Sequence, residues 1–163
     1  MSDDVQKIRA QGERLLECSE GFMRTFETAP REAERLSYQA LSIINDLALL
    51  VRNYQDTATS NECRNVETGQ IIYSDNRDDA AAMVRLKDLP PAPTDPLNVR
   101  DALNKFAHFD REQSTFAVIG DRHFMLLSGK ELRTKQPFWV ARIEVSDLVR
   151  ACNRSAEMVQ PRS

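Results

Sequence analysis

The sequence predicts an α+β protein that is mainly helical, with a helical bundle followed by a short three-stranded antiparallel β-meander and a C-terminal helix. Apolar residues recur at helical spacing through most of residues 4–109, and three strand-like apolar segments separated by turn and polar residues follow between about 114 and 145. Five glycines and seven prolines in 163 residues are few for a fold with many tight turns. This length is ordinary for one domain, so we expect a single domain over 1–163.

The first two predicted helices cover residues 4–27 and 30–56. Val5, Ile8 and Leu15 mark the apolar face of the first helix, which Gly21 weakens enough to permit a break. A proline opens the second helix, as is common in a first helical turn. Apolar residues cover more than half of the second helix, which predicts that it lies at the centre of the bundle.

The middle of the chain predicts a loop, a short helix and a rigid connection. Residues 57–76 lose periodicity and are rich in Thr, Ser and Asn, which indicates a loop; residues 71–73 fit either a short strand or a loop anchored to the core. Residues 77–88 predict a helix. The proline-rich segment 90–93 then predicts an extended connector within the same domain.

A further helix and the β-meander complete the predicted fold. Asp95 is the expected cap of a helix over 96–109, with a proline in its first turn. Three apolar segments, 115–119, 123–127 and 138–145, are typical of strands. A last helix over 146–159 is expected to start at one of the polar residues 146 and 147.

Composition limits the classes of function. The net charge of −3 provides no overall attraction for nucleic acid, so RNA binding would require a local basic face. Cys18, Cys63 and Cys152 lie far apart and lack paired spacing, which favours reduced thiols over disulfides or zinc; we predict no metal and no cofactor. An acidic N-terminus and the lack of a long apolar run favour a cytoplasmic protein without a membrane partner.

Three polar residues with chemical potential recur on the helix predicted after residue 96. Arg100, Asn104 and His108 are four residues apart, so they form one stripe beside the apolar face. Arginine can neutralise a phosphate, asparagine can position it and histidine can transfer a proton near neutral pH. The same pattern also fits an ordinary solvated helix face whose histidine interacts with the helix dipole.

The segment Leu103-Asn104-Lys105-Phe106-Ala107-His108 resembles the motif of the HEPN superfamily, the helical domains common in prokaryotic toxin–antitoxin and defence systems. That motif has an arginine, a polar residue that is often asparagine, three further residues and a histidine. Asn104, Lys105, Ala107 and His108 fit this pattern, while Leu103 stands at the position of the arginine. Arg100 lies about 4 to 5 Å earlier along the helix.

The resemblance implies a metal-independent endoribonuclease or an RNA-binding relative that acts as a homodimer. His108 would then be the acid or base, Asn104 would position the phosphate, and Arg100 would have to replace the arginine missing at Leu103. Because that replacement is displaced, the resemblance favours a HEPN-like protein without efficient cleavage.

Two other classes of function are compatible with the sequence. In a protein-interaction or scaffold module, the motif is only a helix surface and the partner binds the exposed face or edge of the small sheet. In a small-molecule sensor, a pocket lies between helices and sheet. Among other candidates, His123 is interpreted as structural, and the segment 128–130 lacks the remainder of a phosphate-binding loop.

Overall fold

Two long helices form one side of the molecule. The computed structural model describes residues 2–89, 94–132 and 134–160. Helix α1 is Asp3–Thr25 and α2 is Pro30–Asp56, and they pack closely along their length. The break that the sequence permitted at Gly21 does not occur, since α1 is continuous through this residue. Gly21 lies against α2, where a Cβ atom would come within 3.1 Å of Leu36 Cδ1.

A five-stranded antiparallel sheet forms the other half, which confirms the α+β class. The strands are β1 Glu67–Ser74, β2 Asp95–Asn98, β3 Thr115–Ile119, β4 Arg122–Lys130 and β5 Phe138–Glu144. Their order across the sheet is β2-β1-β5-β4-β3. The three predicted strands are therefore present as neighbours, but the prediction of a three-stranded sheet was incomplete.

The two additional strands replace parts of a predicted loop and a predicted helix. Strand β1 lies in the segment predicted as a loop, and Gly69, at φ +90°, interrupts its pairing with β2 as a bulge. The prediction of Asp95 as a helix cap was wrong, because it belongs to β2 and pairs with Ile71. Residues preceding a proline favour extended geometry, and Pro96 follows Asp95 here.

Three further helices complete the fold, and side-chain caps fix where two of them start. Helix α3 is Arg77–Leu86, α4 is Val99–His108 and α5 is Val145–Met158. The Asn98 side chain caps α4 by accepting the Asp101 N–H at 2.8 Å, and the Asn76 side chain caps α3. Because α5 follows β5 directly, the polar residues predicted to cap it lie inside its first turn. The predicted connector over 90–93 lies outside the described residues.

The two faces of the sheet pack against different helices. Met125, Leu127, Trp139 and Ile143 face the main core, which they share with α1, α2, α4 and α5. Val140 faces the opposite side, where it packs against apolar residues of α3. Helix α4 is thus held between α2 and the sheet, and α3 packs on the second face.

Strands β2 and β3 form the two edges of the sheet. Pro96 lies in β2 and has no backbone N–H to offer a further strand. Strand β3 contains no proline and ends at Ile119, whose side chain is exposed. Within the described residues, no helix is both long and apolar enough to span a membrane.

The indole of Trp139 lies across Gly129. These residues are paired between β4 and β5, and a Cβ atom added to Gly129 would be 2.2 Å from Trp139 Cζ2. Glycine is required here because any side chain would occupy the space of a fully buried ring.

We therefore expect Gly129→Ala to lower the free energy of unfolding by about 1 to 3 kcal/mol through overpacking, measured by urea denaturation. In a Trp139→Phe background the closest ring atoms are absent, so the same substitution should cost clearly less. An equal cost in both backgrounds would show that the indole is not the cause.

Candidate functional site

The first member of the predicted polar stripe has a structural role. Arg100 Nη1 donates hydrogen bonds to Asp56 Oδ1 at 3.0 Å, to Gln55 Oε1 at 3.3 Å and to the Arg52 carbonyl at 3.3 Å. All three acceptors belong to the last turns of α2. The guanidinium thus ties the start of α4 to the end of α2, and its charge is already paired there.

The other motif positions differ in exposure. Leu103, at the position of the family's arginine, is fully buried in the main core, where an unpaired cation would be strongly disfavoured. Asn104 is half-buried. His108 ends α4 and is exposed. The three residues of the stripe therefore lie in different surroundings, with Arg100 bonded to α2, Asn104 half-buried and His108 exposed.

Lys105, between these positions, joins α4 to the sheet. Its side chain is 10% exposed, and its ammonium lies 4.5 Å from the ring centroid of Trp139 and 5.7 Å from that of Tyr73. It also forms an ion pair with Glu131, directly after β4. This lysine is therefore occupied by contacts within the fold.

His108 borders a cavity of about 370 Å³, which we call the His108 cavity. The start of α3, the end of α4 and the ends of β4 and β5 contribute to it. Its lining residues are Arg77, His108, Phe109, Asp110, Gln113, Ser128, Gly129, Lys130 and Phe138. Neither Arg100 nor Asn104 is among them, so of the three predicted site residues only His108 reaches this cavity.

Hydrogen bonds hold the segment after α4 against β4. The Asp110 N–H donates to the Ser128 carbonyl at 2.7 Å, and the Ser128 N–H donates to Ser114 Oγ at 3.0 Å. Ser114 Oγ in turn donates to the Asp110 carbonyl at 2.6 Å. This closed set of bonds fixes the end of α4, and therefore His108, beside the end of β4.

The lining of the His108 cavity suits an anion with an aromatic group. Arg77 and Lys130 are exposed and form no ion pair with any residue that the structure describes. Asp110 supplies one opposing carboxylate. Lys130 Nζ lies over the ring of Phe138, 5.5 Å from the ring centroid, so the ring adds apolar surface beside this cation. Cations beside an aromatic ring can bind a phosphate while a base stacks.

No sequence pattern joins Arg77, Gln113 and Lys130, because they come from three separate segments. No spacing rule joins a helix start, a 3₁₀ turn and a strand end. The triplet Ser128-Gly129-Lys130 is not a phosphate-binding loop of the P-loop type, because β5 and not a helix follows β4. Its residues nonetheless line the cavity.

His123 lies in β4, away from the His108 cavity, and is 3% exposed. Its Nδ1 is 2.8 Å from Ser19 Oγ, and its ring stacks on Phe22 with centroids 4.6 Å apart. Burial lowers the pKa of His123 to about 4. The side chain is therefore neutral and structural, and its dyad with Ser19 has no access to a substrate.

The cysteines do not contribute to the cavity. Cys18, Cys63 and Cys152 are buried and free. In the part of the chain that the structure describes, no group of three or more His, Cys, Asp and Glu side chains is arranged to hold a metal ion.

No family model, curated protein or solved structure matches this chain.

The placement of Arg100 predicts that it stabilises the fold more than His108 does. Arg100→Ala leaves the side-chain oxygen Oε1 of the buried Gln55 without this donor. We therefore expect the free energy of unfolding to fall by about 1 to 2 kcal/mol. His108→Ala should change it by less than about 0.5 kcal/mol, because the residue is exposed. Urea denaturation of both variants tests this, and the reverse ranking would contradict it.

The lowered pKa of His123 predicts a pH-dependent stability. Its folded pKa of about 4 lies below the ordinary value of 6.5, so the unfolded chain binds the extra proton between these limits. Stability is complete above about pH 6.5 and falls as the pH decreases towards 4. We expect urea denaturation to show a loss of about 1 to 2 kcal/mol between pH 7 and pH 5.5.

The control for this effect is the double variant Ser19→Ala/His123→Leu, which removes the titrating ring and the hydroxyl that contacts it. Its unfolding free energy should lack most of the pH dependence between pH 7 and 5.5. If the double variant loses stability as the wild type does, another group is responsible.

Proposed function

We propose that this chain is a HEPN-like protein that binds RNA at the His108 cavity. The observation that carries the proposal is the convergence of Arg77, Lys130 and His108 on one concave site beside Phe138. RNA supplies a phosphate for the cations and a base for the ring, and single-stranded RNA is commonly recognised through that combination.

The charge distribution supports RNA over an uncharged ligand. The protein is acidic overall, with a net charge of −3, whereas Arg77 and Lys130 outnumber the single carboxylate of Asp110 in the lining of this cavity. Several arginines elsewhere are paired with carboxylates, as Arg142 is with Asp88. Phosphate contacts from Arg77 and Lys130 would release counterions, which is the main source of nucleic-acid affinity.

We propose binding without efficient cleavage. Leu103 lies in the core where the family has its arginine, and Arg100 is bonded to α2. His108 would therefore act without the guanidinium that stabilises charge on the phosphate in the catalytic members, a contribution that general acid–base chemistry alone does not replace.

The proposal includes a homodimer and a role in a defence or toxin–antitoxin system. Both rest only on the resemblance to the HEPN superfamily. The resemblance concerns α4, whereas the five-stranded sheet has no counterpart in its simplest members. Sedimentation equilibrium at micromolar concentration tests the homodimer, and a monomer would remove the composite cleft from the proposal.

RNA binding can be measured by fluorescence anisotropy with a labelled single-stranded RNA. We expect Arg77→Gln and Lys130→Gln each to weaken binding, and each to reduce the slope of log Kd against log salt by about 0.7, because each removes one phosphate contact. His108→Ala should weaken binding and leave RNA cleavage at the background rate seen for the wild type.

Arg31→Gln serves as the matched control, since Arg31 is an exposed arginine on α2 that does not line the cavity. It should bind RNA as the wild type does. Equal losses in Arg31→Gln and Arg77→Gln, or no binding by the wild type, would reject the site. Cleavage that depends on His108 would reject the non-catalytic form of the proposal.

A protein-interaction module is the second candidate. A groove of about 540 Å³ lies between α2 and the free edge of the sheet, where Tyr38, Leu41, Phe109 and Phe116 provide apolar surface. An extended peptide with alternating apolar residues could add a strand to β3 and fill this groove. This candidate predicts no RNA binding by the wild type, so the anisotropy measurement separates the two functions.

A further inference from the structure

A second cavity continues the His108 cavity along α3. It has a volume of about 340 Å³ and is lined by Ala81, Val84, Arg85, Lys87, Glu112, Gln113, Ser114 and Thr115. Gln113 lines both cavities, and α3 contributes a wall to each. We call the two together the α3 groove. It runs from His108 and Lys130 at one end to Arg85 and Lys87 at the other.

Two arginines are spaced along the part of α3 that lines this groove. Arg77, Ala81 and Arg85 are separated by four residues each, so they lie on one face of the helix. Eight residues of α-helix span about 12 Å, which separates the two arginines along the groove. One phosphate cannot contact both, whereas an extended chain of phosphates can.

The groove is basic in a protein that is acidic overall. Four permanently charged cations, Arg77, Arg85, Lys87 and Lys130, line it against two carboxylates, Asp110 and Glu112, which gives a net charge of +2. None of these four cations forms an ion pair within residues 2–89, 94–132 and 134–160.

The other acidic side chains close to these cations in sequence line neither cavity, and Glu131, next to Lys130, is paired with Lys105. The carboxylates of Asp78 and Asp79, in the first turn of α3, line neither cavity. Asp88, beyond the end of the helix, is paired with Arg142. The cations of the groove therefore remain available to a ligand.

Lys87 has a backbone conformation that is unusual for lysine. It follows the last residue of α3 and has φ +55°, the only non-glycine residue with positive φ in the described part of the chain. Glycine adopts this conformation at a lower free energy and is the usual residue at that position. The chain keeps a lysine there at a cost to its fold, and this lysine lines the groove.

We infer that the ligand of the proposed RNA site is a single-stranded oligonucleotide of several nucleotides that extends along α3 to Arg85 and Lys87. This inference rests on the proposed function and deepens it, since the ligand would extend beyond the His108 cavity into the second cavity. The strand is single because an extended backbone can follow the cations spaced along α3, which is how single-stranded nucleic acid is bound in a basic groove.

The test compares a labelled RNA octamer with a labelled RNA dinucleotide by fluorescence anisotropy. We expect the wild type to bind the octamer at least tenfold more tightly. Arg85→Gln/Lys87→Gln should remove most of that difference and lower the salt slope for the octamer by about 1.4, because two phosphate contacts are lost. Its affinity for the dinucleotide should be unchanged, and Arg77→Gln should weaken both probes.

Lys87→Gly separates a role in binding from a role in folding. It removes the charge and relieves the positive φ, so we expect an unchanged or higher urea midpoint together with weaker octamer binding. A residue that served only to end the helix would show no loss of binding.

Two outcomes distinguish the inference from the function on which it rests. If the wild type binds neither probe, the proposed function fails. If the wild type binds both probes equally, or if Arg85→Gln/Lys87→Gln binds the octamer as the wild type does, the groove inference is overturned while RNA binding at the His108 cavity stands.

Discussion

The contact of Lys105 with the ring of Trp139 is the constraint on which the arrangement of helices and sheet depends. The indole is fully buried because Gly129 leaves room for it, and the ammonium above it is paired with Glu131. One cluster thus fixes α4, β4 and β5 relative to one another. The end of α4 and the end of β4 consequently meet, which brings His108 beside Lys130.

The sequence predicted the elements whose periodicity is continuous and missed those in which it is interrupted. The long helices and strands β3 to β5 follow from regular apolar spacing. Strand β1 contains a bulge at Gly69, and β2 is four residues long with a proline, so neither shows a period of two. The pairing of β1 with β2 and β5, which no local pattern reveals, decides their conformation.

The candidate site was less accessible to prediction than the fold. His108 was identified because the motif is local, and it does line a cavity. The spacing that joined it to Arg100 described one helix face, but the partners of Arg100 lie on α2, 44 to 48 residues earlier in the chain. Arg77 and Lys130 approach His108 only through tertiary packing, which sequence spacing does not encode.

The two edges of the sheet have consequences for how copies of the chain can assemble. Continuous polymerisation by strand addition needs two receptive edges on every molecule, and the proline in β2 makes one of them a poor acceptor. An assembly that extends the sheet through β3 would therefore pair two like edges about a two-fold axis and stop. Growth of the sheet through β3 alone would thus end with two chains.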